Sequence, residues 1–148
     1  MVRPRVAGWL LGIYSLILVG LAFWDWSAGM PAVRVVNLLP LAGIGESLAS
    51  GGRAVLINLM GNIVAFMPLG LLIPLARPRA RSPWRTLLIG LGLSLGIEAT
   101  QWLAGYRVSD IDDVILNGLG TLFGYGLVSI LTGQPFRSIT YAPEHNGE

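Results

Sequence analysis

The sequence predicts an all-α, polytopic membrane protein built as a bundle of four transmembrane helices. Hydrophobic residues make up 53% of the 148 residues, charged residues only 12%, and the mean hydropathy is +0.66. A soluble domain carries about a quarter charged residues, because its surface faces water. We therefore expect lipid to surround most of this surface. The length predicts a single membrane domain over residues 1–148.

Four apolar segments have the length of a membrane span. A helix needs about 20 apolar residues to cross a hydrocarbon core about 30 Å thick. The four segments run approximately over residues 7–24, 54–76, 86–104 and 113–131. The first could instead be a secretory signal, but it ends in Phe23-Trp24-Asp25-Trp26, which is unlike a small-residue cleavage site. We expect it to be retained as a helix.

The arginines predict the orientation of the bundle. All ten basic residues are arginines, and alternate crossing places three on one side: Arg34, Arg53 and Arg107. The other seven share the side of the termini: Arg3, Arg5, Arg77, Arg79, Arg81, Arg85 and Arg137. Basic residues near spans are retained in the cytoplasm. We therefore expect both termini to be cytoplasmic.

The composition excludes several kinds of chemistry. The chain has no cysteine, so a disulfide, a thiolate nucleophile and a Cys-ligated metal are excluded. It has no lysine for a Schiff base, and its one histidine, His145, follows the last apolar segment. The arginines lie in loops that flank the spans, which indicates topology rather than nucleic-acid binding. We predict no cofactor and no nucleic-acid partner, and the sequence does not set the oligomeric state.

The last three segments carry polar residues near the same end. Polar groups inside a span are costly, so each needs a partner or a function. At 1.5 Å per residue, these residues lie about 5 to 12 Å inside the outer surface, or in the loop just above it. The set comprises Asn58, Asn62, Glu98, Gln101, Arg107, Asp110, Asp112, Asp113 and Asn117. Their common depth predicts one shared pocket in the outer leaflet.

Structural explanations of these residues remain open. Asn and Gln side chains often join transmembrane helices by hydrogen bonds, and Asp112 or Asp113 could cap the fourth helix. Arg107 could neutralise the nearby carboxylates. Glu98 differs, because a carboxylate below the interface indicates a functional site. The aspartates at 110, 112 and 113 could ligate a hard divalent cation, but so short an acidic run is unspecific, and we predict no metal site.

Two further features concern packing. Small residues four apart allow transmembrane helices to approach closely. Gly92 and Gly96 in the third segment, and Gly120 and Gly124 in the fourth, predict that these two helices pack against each other. Pro68 removes a backbone hydrogen bond inside the second segment and predicts a kink there.

The order of these motifs resembles the VanZ-like family of bacterial membrane proteins, which is named for a teicoplanin-resistance protein. The resemblance covers roughly residues 37 to 130. Leu41 stands where the family often has Phe, and Tyr106 separates Gly105 from Arg107, which are adjacent in the family pattern. The matching residues are Asn37-Leu38-Leu39-Pro40, Asn58, Asn62, Phe66, Pro68, Gly70, Glu98, Gln101, Arg107, Asp110, Asp112, Asp113, Asn117, Gly120 and Gly124.

The resemblance implies a multi-pass protein of the bacterial plasma membrane. Some members of the family lower susceptibility to glycopeptide antibiotics, chiefly teicoplanin, which act on cell-wall precursors outside that membrane. This association implies a role at the cell envelope, but it does not supply a reaction.

Three functions remain open from the sequence. The first is a binding protein for a lipid-linked envelope component. In it Arg107 meets a phosphate or carboxylate, and the amides bond other headgroup atoms: Asn58, Asn62, Gln101 and Asn117. The second is an enzyme acting on a headgroup, with Glu98, Arg107 and Asp113 as candidate catalytic residues. The third is a structural or assembly partner without a ligand.

Overall fold

The structure is a computed structural model that describes residues 3–23, 36–40, 45, 53–77, 80–105 and 109–133, with the backbone alone at 53–58 and 109. The long helices in these residues are α1 (Pro4–Ala22), α2 (Arg53–Ala76), α3 (Pro83–Leu103) and α4 (Ile111–Thr132). Two short strands, β1 (Val36–Asn37) and β2 (Ser109–Asp110), pair in parallel. The chain is therefore a helical bundle with a single two-residue strand pairing in the described part.

Within the described residues, four helices are long and apolar enough to cross a membrane. These stretches are Pro4–Ala22, Leu59–Ala76, Pro83–Leu103 and Ile111–Thr132. Every helix end lies within three residues of the predicted end. The prediction of an all-α bundle of four transmembrane helices is thus confirmed. The cytoplasmic location of both termini stays a prediction.

Proline and glycine residues set several helix boundaries. Pro4 and Pro83 occupy the first turns of α1 and α3, where the missing N–H has no helical partner to lose. Gly105 follows α3 with φ +67°, and Gly133 ends α4 with φ +63°. Such left-handed conformations favour glycine. Helix α2 continues through Pro68, and the predicted kink there stays a prediction.

The backbones of α2 and α4 are in direct contact at small residues. A Cβ atom on Gly120 would overlap the carbonyl oxygen of Ile63, and one on Gly124 would overlap that of Met67. From the α2 side, a Cβ atom on Gly70 would overlap the carbonyl oxygen of Thr121. Only glycine at these positions permits this approach.

The predicted glycine contact between α3 and α4 is wrong. Gly92 and Gly96 face open space, with nothing within 4 Å of an added Cβ atom. Gly120 and Gly124 of α4 pack on α2 instead. Helices α3 and α4 do contact each other, but at other positions, where Gly90 of α3 accommodates the side chain of Thr121. The spacing of small residues identified a close contact but did not specify its partner.

Helix α1 packs on α2 and α3. The Tyr14 hydroxyl donates a hydrogen bond of 2.8 Å to the carbonyl oxygen of Ala65 in α2. The amide nitrogen of Gln101 in α3 donates one of 2.8 Å to the carbonyl oxygen of Ala22 at the end of α1. The apolar core beside these contacts includes residues from all three helices: Leu18, Phe66, Leu69, Ile73 and Ile97.

These contacts bring several helix ends together at one end of the bundle. The C-terminal ends of α1 and α3 meet through Gln101. The side chain of Asn62, in the first half of α2, is hydrogen-bonded to Asp113 in the first turn of α4. The strand β2 leads directly into α4. We name this region the polar end; it comprises β1, β2, α3 from Glu98 onward, the first turn of α4, and Asn62 of α2.

The contact of Gly124 with α2 predicts that an added methyl group destabilises the protein at this position but not at Gly126. We expect Gly124→Ala to reduce the free energy of unfolding by about 1–3 kcal/mol, because overpacking forces α2 and α4 apart. Unfolding of the purified protein from mild detergent into SDS, followed by circular dichroism, measures this loss.

Gly126→Ala is the matched control on the same helix, because nothing lies within 4 Å of a Cβ atom there. It should leave stability unchanged or raise it by up to about 1 kcal/mol through helix propensity. Equal loss in both variants would contradict the proposed contact.

Candidate functional site

The short strand pairing brings the segment at residues 36–40 onto the start of α4. Val36 pairs with Ser109, and Asn37 pairs with Asp110. The side chain of Asn37 adds two bonds: its amide nitrogen donates to Asp110 Oδ2 at 3.2 Å, and its oxygen accepts from the N–H of Leu39 at 3.2 Å. Asn37 thereby fixes its own turn and joins it to Asp110.

Asp110 connects three parts of the polar end. Its Oδ1 accepts the N–H of Asp112 at 2.9 Å, which caps the N-terminus of α4, while Oδ2 accepts from Asn37. Its own N–H donates to Glu98 Oε2 of α3 at 3.3 Å. A carboxylate at a helix N-terminus also suits the helix dipole. One residue therefore starts α4 and helps to orient Glu98.

A second contact joins α2 to α4. The amide nitrogen of Asn62 donates a hydrogen bond of 2.6 Å to Asp113 Oδ1. Asp113 is 7% exposed and Asn62 is partly buried. This short bond holds a buried carboxylate in one orientation where α2 and α4 meet.

Polar contacts continue one turn farther along α4. The amide nitrogen of Asn117 donates to Ser94 Oγ of α3 at 2.9 Å, and Thr121 Oγ1 donates to the carbonyl oxygen of Asn117 at 2.9 Å. Asn117 is 6% exposed, and Ser94 and Thr121 are fully buried. Ser94 is thus a buried hydrogen-bond acceptor between two helices, which gives it a structural role.

The chain as a whole was compared with known proteins. The model of the family described as VanZ/LLP1 matches residues 10–132, which is most of the chain. The chain belongs to the VanZ/LLP1 family. No curated protein and no solved structure matches it at a significant level. The predicted resemblance is therefore confirmed at the level of the family.

The structure of this VanZ/LLP1 chain brings together most of the described site candidates. Asn62, Glu98, Asp110 and Asp113 form the hydrogen-bonded pairs of the polar end. Asp112 lies beside them in the first turn of α4, and Asn117 lies one turn deeper. The side chain of Asn58 and all of Arg107 lie outside the described residues, so their predicted roles stay predictions.

Gln101 takes a different position from the other candidates. Its amide nitrogen bonds the C-terminal carbonyl of α1, and the side chain is buried. This contact closes α1 onto α3 and satisfies a helix carbonyl that has no partner within its own helix. Gln101 therefore has a packing role between α1 and α3, and its predicted contact with a ligand stays a prediction.

One expectation about the aspartates changes. The cap of α4 is Asp110, not Asp112 or Asp113, because the helix begins two residues earlier than predicted. Asp112 and Asp113 instead occupy its first turn. Within the described part of the chain, no group of three or more His, Cys, Asp or Glu side chains is arranged to hold a metal ion. The geometry therefore gives the weak metal candidates Asp110, Asp112 and Asp113 no support.

Sequence reasoning missed Asn37 as a member of the site. Asn37 entered the sequence analysis only as part of the motif Asn37-Leu38-Leu39-Pro40. A two-residue strand has no periodicity that a sequence can show. The available signal was the Asn before a proline-containing turn, because Asn side chains commonly bond the backbone two residues on.

The connections made by Asp110 predict a stability effect. Asp110→Ala removes the cap of α4 and the partner of Asn37, so we expect a loss of about 2 kcal/mol in the free energy of unfolding. Asp110→Asn keeps an oxygen that can cap the helix and should lose less. Equilibrium unfolding in detergent compares the two variants. Equal stability of Asp110→Ala and the unchanged protein would contradict the assigned cap.

Proposed function

We propose that this VanZ/LLP1 protein binds the polar headgroup of a lipid-linked cell-envelope component at the outer leaflet of the bacterial plasma membrane. The observation that carries the proposal is the joining of Glu98, Asp110 and Asp113 to Asn37 and Asn62 at one end of the bundle. Four separate chain segments contribute to this single polar region.

The energetic cost of these carboxylates supports a functional role. A charged or polar group within a transmembrane bundle is expensive, and such groups mark functional sites by default. Asp110 has a structural task as the cap of α4. Glu98 and Asp113 do not cap a helix, although each accepts a hydrogen bond within the protein. Their presence is explained if a ligand uses them.

The orientation of the carboxylates suits hydrogen bonding to a headgroup. Asn62 fixes one oxygen of Asp113, and the N–H of Asp110 fixes one oxygen of Glu98. An ionised carboxylate offers about four acceptor sites on its two oxygens. Glu98 is only partly buried, so it remains within reach of a molecule at the membrane surface. Hydroxyl and N–H groups of a sugar or amino-acid headgroup are suitable donors.

The expected physiological consequence is a change in access to a surface target. The family resemblance implies that some members lower susceptibility to teicoplanin, which acts on cell-wall precursors outside the membrane. A protein that holds a lipid-linked precursor by its headgroup, or changes its availability, has this effect without any catalysis. We extend that association to this chain as part of the proposal.

An enzyme acting on the headgroup is the second candidate. The partial exposure of Glu98 and the burial of Asp113 favour it, because two carboxylates in unlike environments can take acid and base roles. Arg107, predicted from the sequence to stabilise negative charge, belongs to the same hypothesis. A comparison of envelope lipids from cells with and without the protein distinguishes an enzyme from a binding protein. A chemically altered lipid in cells that contain the protein indicates an enzyme. Unaltered lipids, one of which co-purifies with the protein, indicate a binding protein.

The proposal predicts that two conservative substitutions reduce lipid retention. The protein is expressed in a bacterial host, purified in mild detergent, and the lipids that accompany it are measured by mass spectrometry. In Glu98→Gln and Asp113→Asn we expect the retained lipid-linked component to fall about tenfold, because each loses a charge-assisted hydrogen bond.

Thr100→Val is the matched control on α3. Thr100 is exposed, and its hydroxyl bonds the backbone of Gly96 in its own helix. This variant should retain the same lipids as the unchanged protein. If the carboxylate variants fold normally and their lipids also match, the polar end has only a structural role.

A further inference from the structure

We propose that residues 36–40 insert into the membrane surface beside the polar site, with Leu38 and Leu39 against the acyl chains of a bilayer lipid. This inference rests on the proposed function and specifies it further: the ligand is an amphiphile whose headgroup meets the carboxylates while its chains pass along this segment. We name residues 36–40 the inserting edge.

The inserting edge presents apolar side chains that the protein leaves uncovered. Leu38 and Leu39 are each 70% exposed, and Val36 is 46% exposed. Neither leucine lies in a membrane-spanning helix. Exposed apolar surface is unfavourable in water and favourable in hydrocarbon, so adjacent leucines indicate a nonpolar neighbour.

The position of these leucines is fixed by the backbone around them. Asn37 is held by strand pairing to Asp110 and uses its amide nitrogen and oxygen in hydrogen bonds to Asp110 and to the N–H of Leu39. The turn is thus closed from within by polar contacts. These hydrogen bonds fix the backbone of the turn, and the side chains of Leu38 and Leu39 are exposed on its surface.

The bundle places this edge at the depth of the lipid headgroups. The partner strand β2 ends where α4 begins its apolar span at Ile111, and Asp110 contacts Glu98 near the end of α3. Trp102 and Leu103, at the same end of α3, are 37% and 65% exposed. Tryptophan favours the membrane interface. A leucine pair at this level reaches the outer part of the acyl chains.

The adjacency of the edge and the carboxylates defines the kind of ligand. Asn37 lies between the leucines and Asp110, and Asp110 contacts Glu98 directly. A lipid can therefore occupy the polar site and the apolar edge together. A free sugar or peptide of the same headgroup chemistry would meet only the polar part.

A fluorescent label in an otherwise cysteine-free chain tests this placement. The sequence contains no cysteine, so Leu39→Cys gives a single attachment point for an NBD probe. The labelled full-length protein is placed in vesicles of phosphatidylcholine and phosphatidylglycerol in equal parts. Quenching is measured with lipids spin-labelled near the headgroup or deep in the acyl chain, and with iodide on both sides of the membrane.

Two reference positions calibrate the measurement. Leu95→Cys lies within α3 at a 53% exposed residue and should be quenched by the deep spin label. Arg77→Cys lies at an exposed residue just after α2 and should be quenched by iodide. We expect the label at 39 to show blue-shifted emission and to lose most of its fluorescence to the shallow spin label.

Other outcomes overturn the inference. Quenching by iodide, as at residue 77, would place the edge in water. Protection from every quencher would place it against protein, such as a second copy of this chain. Neither outcome contradicts the proposed function if the purified Asp113→Asn variant still retains less of the lipid-linked component than the unchanged protein. Conversely, insertion of residue 39 with unchanged lipids in Asp113→Asn would reject the headgroup site and keep the inserting edge.

Discussion

The hydrogen bonds of Asp110 hold the polar end of the protein together. One carboxylate oxygen caps α4, the other accepts from Asn37, and the backbone N–H donates to Glu98. These bonds join a strand, the end of one transmembrane helix and the beginning of another. At the edge of a hydrocarbon layer, an unsatisfied polar group costs several kcal/mol. The same bonds that satisfy these groups also determine where Glu98 lies.

Close packing between α2 and α4 complements this arrangement. The glycines at 70, 120 and 124 allow the two backbones to touch, and the short side chain of Asn62 then reaches Asp113 at 2.6 Å. Bulkier residues at the contact would separate the helices and lengthen that bond. Packing in the apolar part of the bundle therefore supports the geometry of the polar part.

The sequence was sufficient for the spans and for the polar residues that share one end of the bundle, and it was less informative about their partners. Hydropathy defined the four helices, and the constant rise of a helix placed Glu98 and Asp113 near one surface. Rotation about each helix axis is harder to infer, because lipid and protein core are both apolar. The partners of Gly120 and of Gln101 were missed for that reason. The role of Asn37 depends on a two-residue pairing with a segment 73 residues away, which no local pattern reveals.

A double-mutant cycle on Asn62 and Asp113 tests whether carboxylates and amides from different spans meet at one end of the bundle. The free energy of unfolding is measured for Asn62→Ala, Asp113→Ala and the double variant in the same detergent. A hydrogen bond to a charged group predicts a coupling of about 1.5 to 3 kcal/mol between the two substitutions. Additive effects, with no coupling, would show that these side chains do not meet and would contradict the account.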